Sequence, residues 1–571
     1  MKKLLRYMKG YGKECFLGPL LKLAEATLEL LVPYVILAIV NVGIDGKDKH
    51  YIAYATLILV AMGLAGLLFS VSAQYFSAKA SVGFTSRVRE ALFRHIQSLS
   101  YREIDGLGRS TLITRLTSDM NQVQTGMNLA LRLLLRSPFI VFGAMIMAFT
   151  IDREAAMTFV VVIPILSVVV FGIMLAGIPL YKRVQQRLDV ILSKTRENLT
   201  GVRMLRALCK EESEKREFDK NNDLLNHAQK FVGKIASLMN PLTYIIINLA
   251  IVLLMYQGAV KVEYGILTQG AVLALYNYMS QILVELIKLA NLIINITKAV
   301  ACANRVEALL ETTPSLSLLS EKHSAQGGLA VEFDHVSFRY GNGGENALSD
   351  ITFSVKPGET IGIIGGTGSG KTTLINLLCR FYEAGQGDIF IDGRSVTSYP
   401  TKELLGKIGI VPQKAALFRG DIRGNMRFGR EDATDEEIWE ALALAQAKEF
   451  VEKREGGLSS PVEQSGRNLS GGQRQRLTVA RALVRKPSIL ILDDSSSALD
   501  YATDLALRRA IHALDYDPTV FFVTQRASTL RGADRILVLD EGCLVGFGSH
   551  DELFEICDVY REICLSQTKQ A

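Results

Sequence analysis

Along its first 300 residues the chain alternates long apolar runs with polar stretches, and six runs are long enough to cross a hydrocarbon layer: near 16 to 42, 52 to 80, 126 to 150, 155 to 180, 236 to 258 and 270 to 298. A helix rises about 1.5 Å per residue, so about 20 apolar residues cover the roughly 30 Å core of a bilayer. From residue 329 onward the long runs stop. Shorter strand-like stretches replace them, such as VEFDHVSFRY (331 to 340), which alternates, and SILILDD (488 to 494), which is continuously apolar until its acids. These are the patterns of half-buried and fully buried strands. The chain is therefore read as a transmembrane unit over 1–310, a linker over 311–328 and a globular unit over 329–571.

The connections between the runs set the orientation. Those at 43 to 51, 151 to 154 and 259 to 269 are short and poor in Lys and Arg, whereas those near 81 to 125 and 181 to 235 are long and basic. Basic connections stay on the cytoplasmic side, so both termini and the globular unit are expected there. Neither long connection is rich in Gly or Pro, and both keep helical apolar spacing. The spans are expected to continue as helices well beyond the bilayer, with breaks around Gly106 to Gly108 and Gly201. Small transverse helices would then form at the tips, at 110 to 119 and 201 to 213, as candidates for contact with the globular unit.

Composition agrees: 49% of the 571 residues are hydrophobic and 21% charged. The net charge of +6 comes largely from segments flanking apolar runs, which points to a bilayer rather than nucleic acid. The opening MKKLLRYMKGYGK is basic and precedes an apolar run, but that run is too long for a signal peptide, lacks a small-residue cleavage site and is followed by five more. It is read as a segment lying along the membrane surface. The seven scattered cysteines form no C-x-x-C pair, the usage of free thiols in a reducing compartment. Within the spans, Glu25 and Glu29 share a face of the first and should meet protein or a wet cavity. A structural hydrogen bond and a site for cationic amphiphiles both fit them. Glu285 and Lys288 in the last span either neutralise one another or sit near the inner surface.

Candidate chemistry begins at IGIIGGTGSGKTT (361 to 373), a strand running into a glycine-rich loop and then a helix. Gly365, Gly366, Thr367, Gly368, Ser369 and Gly370 form a loop whose backbone N–H groups can surround phosphate. Lys371 reaches the β and γ phosphates, Thr372 can bind Mg²⁺ beside Thr373, and the helix directs its positive end at the anion. SILILDD then places Asp493 at a strand end, where it can hold Mg²⁺ through water. This is the constellation of an α/β P-loop NTPase with ATP and Mg²⁺.

LSGGQ at 469 to 473 resembles the signature of ATP-binding cassette (ABC) transporters, and RLTSDM (115 to 120) and GVRMLRAL (201 to 208) resemble the coupling helices of ABC exporters. The resemblance covers nearly the whole chain. It implies a six-helix, all-α transmembrane domain fused to an ABC cassette, in which Ser470, Gly471, Gly472 and Gln473 form a second anion cradle that serves the nucleotide of an opposing cassette. It also implies that Tyr340 stacks on adenine, that Gln413 in GIVPQ reaches Mg²⁺, and that Asp500 in SALD contacts the facing domain.

Three positions depart from the family. Asp494 stands where a hydrolytic cassette carries Glu, one methylene longer, and a catalytic group misplaced by about 1 Å can cost on the order of a hundredfold. Gln525 stands where the family places a His; it can donate a hydrogen bond but cannot carry charge or relay a proton. Gln464, before the signature, replaces an acid. With LSGGQ intact, these losses suggest one half of a heterodimeric bacterial exporter in the cell membrane, its own site degenerate and its signature completing the partner's site. A homodimeric exporter that hydrolyses slowly, and an ATP-gated regulator or channel without turnover, remain open beside it. For cargo, a lipophilic, amphiphilic small molecule is favoured over a peptide because no protease-like domain precedes the spans.

Overall fold

The computed structural model describes residues 3–316, 328–341, 344–495 and 498–568; most of the expected linker, 317–327, lies outside them. The chain divides into two compact units, Met1–Ser98 with Leu107–Thr312, and Leu99–Gly106 with Thr313–Ala571.

Among the described residues, the first unit holds six helical segments long and apolar enough to cross a membrane: Gly12–Ile44, Lys49–Ser98, Arg109–Ile151, Arg153–Thr200, Glu211–Glu263 and Gln269–Glu311. Each contains one of the apolar runs. At 50 residues the second is about 75 Å long, more than twice the thickness of the hydrocarbon core. The helical continuation into the long connections is thus present. Short turns join spans on the other side, where Asp152 caps the fourth span through the Ala155 N–H (2.7 Å) and also accepts from Lys261 Nζ of the fifth (2.7 Å).

Several charged groups within the spans are paired. Arg136 Nη2 reaches Glu29 Oε2 (2.6 Å), its Nη1 reaches Glu285 Oε1 (3.0 Å), and Ser137 Oγ donates to Glu285 Oε2 (2.9 Å). Lys288 Nζ donates to Glu285 Oε1 at 2.8 Å. Lys22 holds Glu25 (2.5 Å) and donates to Ser70 Oγ of the second span (3.1 Å). Glu29 thus forms an ion pair with a neighbouring span, and Glu285 and Lys288 do neutralise one another. Arg136, which joins the first, third and sixth spans, lies inside the third apolar run; its partners Glu29 and Glu285 stand on other spans and leave no local pattern that names them.

The second unit is built on a six-stranded sheet in the order β12-β11-β3-β10-β9-β6. Its strands are β3 (Thr360–Gly365), β6 (Ile408–Val411), β9 (Ile489–Asp493), β10 (Thr519–Val523), β11 (Arg535–Asp540) and β12 (Cys543–Gly548). All pairings are parallel except that of β12 with β11. Strands β3, β9 and β10 are buried along their whole length, as their continuous apolar runs predict. A second, antiparallel sheet runs β2-β1-β4-β5, from β1 (Val331–Phe338), β2 (Leu348–Val355), β4 (Gln386–Ile391) and β5 (Arg394–Ser395). The helix Lys371–Leu378 contributes Leu374, Ile375, Leu377 and Leu378 to a core shared with Phe333, Ile361, Ile491 and Phe521 from the two sheets.

One expectation is corrected here. The part of the first long connection that groups with this unit is Leu99–Gly106, not 110 to 119, which belongs to the first unit as the base of the third span. Gly108, at φ 79°, is the N-cap of the helix that follows, so the glycine break marks where the transverse helix Tyr101–Leu107 ends. Tyr101 stacks on Phe381 with ring centroids 4.5 Å apart, and Tyr382 OH donates to Asp105 Oδ2 at 2.6 Å. The second tip is the helix Val202–Ala207, in the first unit, with Val202, Met204 and the following Leu208 at 40%, 62% and 56% exposure.

Candidate functional site

In an open parallel sheet the carboxyl ends of the strands face a common crevice, and ligands bind there. Four neighbouring strands deliver the expected chemistry to that edge. Strand β3 ends at Gly365 and opens the loop, β6 leads to Gln413, β9 ends on Asp493 followed by Asp494, and β10 leads to Gln525. A cavity of about 330 Å³ there is lined by Tyr340, Thr367 to Thr373, Gln413, Asp493, Asp494 and Gln525, together with Ala347, Val523 and Thr524.

The loop needs glycine at both ends. At Gly365 an added Cβ would lie 2.1 Å from the Leu539 carbonyl oxygen and 2.5 Å from Ser369 Oγ. Gly370 has φ 98°, and a Cβ there would meet Leu348 Cδ2 at 2.6 Å. Gly370 is also the N-cap of Lys371–Leu378 and makes no side-chain cap bond. Lys371 Nζ folds onto the loop itself, donating to the carbonyl oxygens of Gly365 (2.9 Å) and Gly366 (2.6 Å).

Thr372 Oγ1 donates to Asp493 Oδ2 at 3.4 Å, and Gln413 Nε2 to Asp494 Oδ2 at 3.3 Å. Burial, then the neighbouring Asp494 charge, pushes the Asp493 carboxyl above the ordinary range, and burial pulls the Lys371 ammonium below it against both acids. Hydroxyl, carboxylate and carboxamide oxygens are hard donors that suit Mg²⁺. Among the described residues no cluster of three or more His, Cys, Asp or Glu forms a metal cage, so a Mg²⁺ ion held here would complete its shell with water or phosphate oxygens. The residues fit ATP with Mg²⁺: a loop for phosphates, a lysine, hard oxygens for the metal, and Tyr340 at the rim for the base.

Two of the three departures, Asp494 and Gln525, line this cavity. Asp494 has φ 45° and donates its backbone N–H to the Val523 carbonyl oxygen at 2.9 Å. Asp enters this left-handed region more readily than most residues with a Cβ. Gln525 is exposed at the cavity lining. Sequence reasoning missed one neighbour of Tyr340, the Tyr382 ring. Tyr382 meets the Tyr340 ring edge-on at 5.2 Å, and Tyr340 OH donates to Thr373 Oγ1 at 3.2 Å. Adjacent aromatics 42 residues apart leave no sequence pattern to find them by.

The signature residues lie elsewhere. None of Ser470, Gly471, Gly472 and Gln473 lines the cavity. Ser470 caps the helix Gly471–Leu483 in a reciprocal box, its Oγ accepting from the Gln473 N–H (3.2 Å) while Gln473 Oε1 accepts from the Ser470 N–H (2.9 Å). Asp500 caps Tyr501–His512, accepting from the Thr503 N–H (2.9 Å) and Oγ1 (2.8 Å). Gln464 is exposed in a single turn beside Ser465, whose φ is 58°.

Fold and site together define a polytopic membrane protein with a P-loop nucleotide-binding cassette fused behind its spans. Residues 15–286 match the profile of the ABC transporter transmembrane region and residues 348–497 that of the ABC transporter family. The uncharacterized ABC transporter ATP-binding protein YfiB of Bacillus subtilis is 35% identical over 99% of this chain and 98% of its own length. The ATP-dependent lipid A-core flippase of Chromobacterium violaceum is 30% identical over 98% of this chain and 96% of its own. A bacterial Atm1-family ABC exporter solved with ATP bound shares the fold, with a TM-score of 0.81 over 98% of this chain and 99% of that one at 23% identity. This chain belongs to the ABC transporter family. It is a permease and an ATP-binding domain in one polypeptide, multi-pass in the membrane with its cassette in the cytoplasm; exporters of this family work as dimers.

Proposed function

We propose that this chain is one half of a heterodimeric exporter, binding Mg·ATP in its own cavity without turning it over efficiently and lending its signature to the partner's catalytic site. One asymmetry carries the reading. The cavity assembles the binding residues Lys371, Thr372, Gln413 and Asp493, yet Asp494 and Gln525 occupy the two positions on which hydrolysis depends. The signature, by contrast, is intact and folded as a capped helix start outside that cavity.

In this reading the loop N–H groups and Lys371 hold the phosphates, Thr372, Asp493 and Gln413 hold Mg²⁺, and Tyr340 stacks on the base. Bound Mg·ATP supplies the negative charge that draws a facing signature onto the cradle. Asp494 is too short to polarise an attacking water well, and Gln525 offers a neutral donor where a charge would stabilise the transition state. Ser470 and the Gly471 and Gly472 amides perform the reciprocal service for the partner's nucleotide. Closure of the cassettes is then carried to the spans through Leu99–Gly106, seated on Phe381 and Tyr382, and through the exposed Val202–Ala207 helix, shifting the transmembrane unit between inward-facing and outward-facing states. A lipophilic or amphiphilic cargo is supported by relatives named as a lipid A-core flippase and as the putative multidrug export protein YgaD of Bacillus subtilis, the latter 30% identical.

A second reading, a slow homodimer, is favoured by a single observation: Asp494 still places a carboxylate in the cavity. Purifying the chain alone and with its second half-transporter, in lipid, separates the two. The heterodimer predicts turnover only in the two-chain complex and unhydrolysed ATP retained on this chain. Sustained turnover by the single chain would establish the homodimer.

A further inference from the structure

The segment that carries Gln525 is held from two sides. Toward the sheet, the Thr524 N–H donates to the Ile363 carbonyl oxygen (3.1 Å) and Thr524 Oγ1 accepts from the Arg526 N–H (3.1 Å). On the other side stands the helix Asp558–Thr568, anchored by the fully buried Tyr560, whose hydroxyl lies 2.8 Å from His550 Nδ1, and by the buried Cys564. From its last turn one carboxamide reaches back across 42 residues. Gln567 Nε2 donates to the Gln525 carbonyl oxygen at 2.7 Å, and Gln567 Oε1 accepts from the Ala527 N–H at 2.8 Å.

This arrangement requires a carboxamide. The two backbone groups are one acceptor and one donor, two residues apart, and the planar Gln side chain offers the complementary pair. Glu would supply only acceptors and set a carboxylate against the Gln525 carbonyl, whereas Met, of similar length, would supply neither bond.

We infer that Gln567 is a positioning residue for this chain's nucleotide site: it clamps the backbone at the Gln525 carbonyl and the Ala527 N–H, fixing where the Gln525 carboxamide stands in the cavity that the phosphate loop also lines, and thereby slows release of Mg·ATP. The inference rests on the proposal that this site binds and holds ATP. The C-terminal helix thus acts on the γ-phosphate end of the site without entering it.

The test uses the full two-chain complex in lipid, with labelled 8-azido-ATP and Mg²⁺ identifying which chain holds nucleotide and how fast it leaves. Gln567→Met is expected to speed release from this chain about fivefold, on the order of 1 kcal/mol, with nucleotide-free thermal stability unchanged. Gln567→Glu should speed release similarly while keeping the Ala527 amide protected from hydrogen exchange. In a Gln525→Ala background Gln567→Met should add nothing, because the clamp acts through Gln525. Release unchanged by Gln567→Met, or an additive effect in the double variant, would overturn the inference. If the wild-type chain itself fails to retain nucleotide, the proposed function falls and the clamp is judged by exchange alone: faster exchange at the Ala527 amide in Gln567→Met upholds it, and unchanged exchange refutes it.

Discussion

The phosphate loop at 365 to 373 and the signature turn at 469 to 473 are both glycine-bearing turns into a helix, and they differ in what the chain places around them. At the first, Gly370 caps the helix without any side chain, and Lys371, Asp493, Asp494, Gln413 and Gln525 converge on the same cavity from four strands. At the second, Ser470 and Gln473 satisfy one another in a capping box that engages their own N–H groups and not those of Gly471 and Gly472. In the proposed heterodimer the first is a binding site short of good hydrolytic groups, the second is the face of a site completed by another cassette, and a complementary subunit would answer both needs.

The largest effect is expected at the loop. Lys371→Ala removes a charge-assisted contact worth about 1.5 to 3 kcal/mol and should weaken Mg·ATP binding to this chain by at least tenfold in labelled-nucleotide binding, with nucleotide on the partner's loop retained. Next, Asp494→Glu combined with Gln525→His should give this chain's cavity its own hydrolysis, raising the site's single-turnover rate by about tenfold or more. An unchanged rate would mean that the defect lies outside these two positions. Ser470→Ala removes half of the capping box, about 1 kcal/mol, and should lower thermal stability slightly while slowing the partner site. The smallest effect belongs to Tyr340→Ala, about 0.5 to 1.5 kcal/mol of base stacking, read as a several-fold loss of ATP affinity.

How far each part was legible in the sequence follows from the range of the interactions. Spans and buried strands are set by local apolar periodicity, and the phosphate loop by local backbone demand, so both could be read directly. The transverse helix Tyr101–Leu107 was misplaced by a few residues because Gly106 and Gly108 signal a break without saying on which side the contact helix lies; the contact itself depends on Phe381 and Tyr382, far along the chain. The partners of Arg136 and Gln567 were invisible for the same reason. Each acts through partners 40 or more residues away, Arg136 through Glu29 and Glu285 and Gln567 through the backbone of Gln525 and Ala527. Neither belongs to a local motif.

In the proposed heterodimer this chain's signature serves turnover while its own acid does not. The steady-state ATPase rate of the purified two-chain complex in lipid, carrying either Ser470→Arg or Asp494→Asn in this chain, separates the two contributions. Ser470→Arg is expected to lower turnover by more than about tenfold, at least 1.4 kcal/mol on the barrier, while Asp494→Asn should change it by less than about twofold. Loss of turnover on Asp494→Asn, with Ser470→Arg tolerated, would contradict the heterodimer.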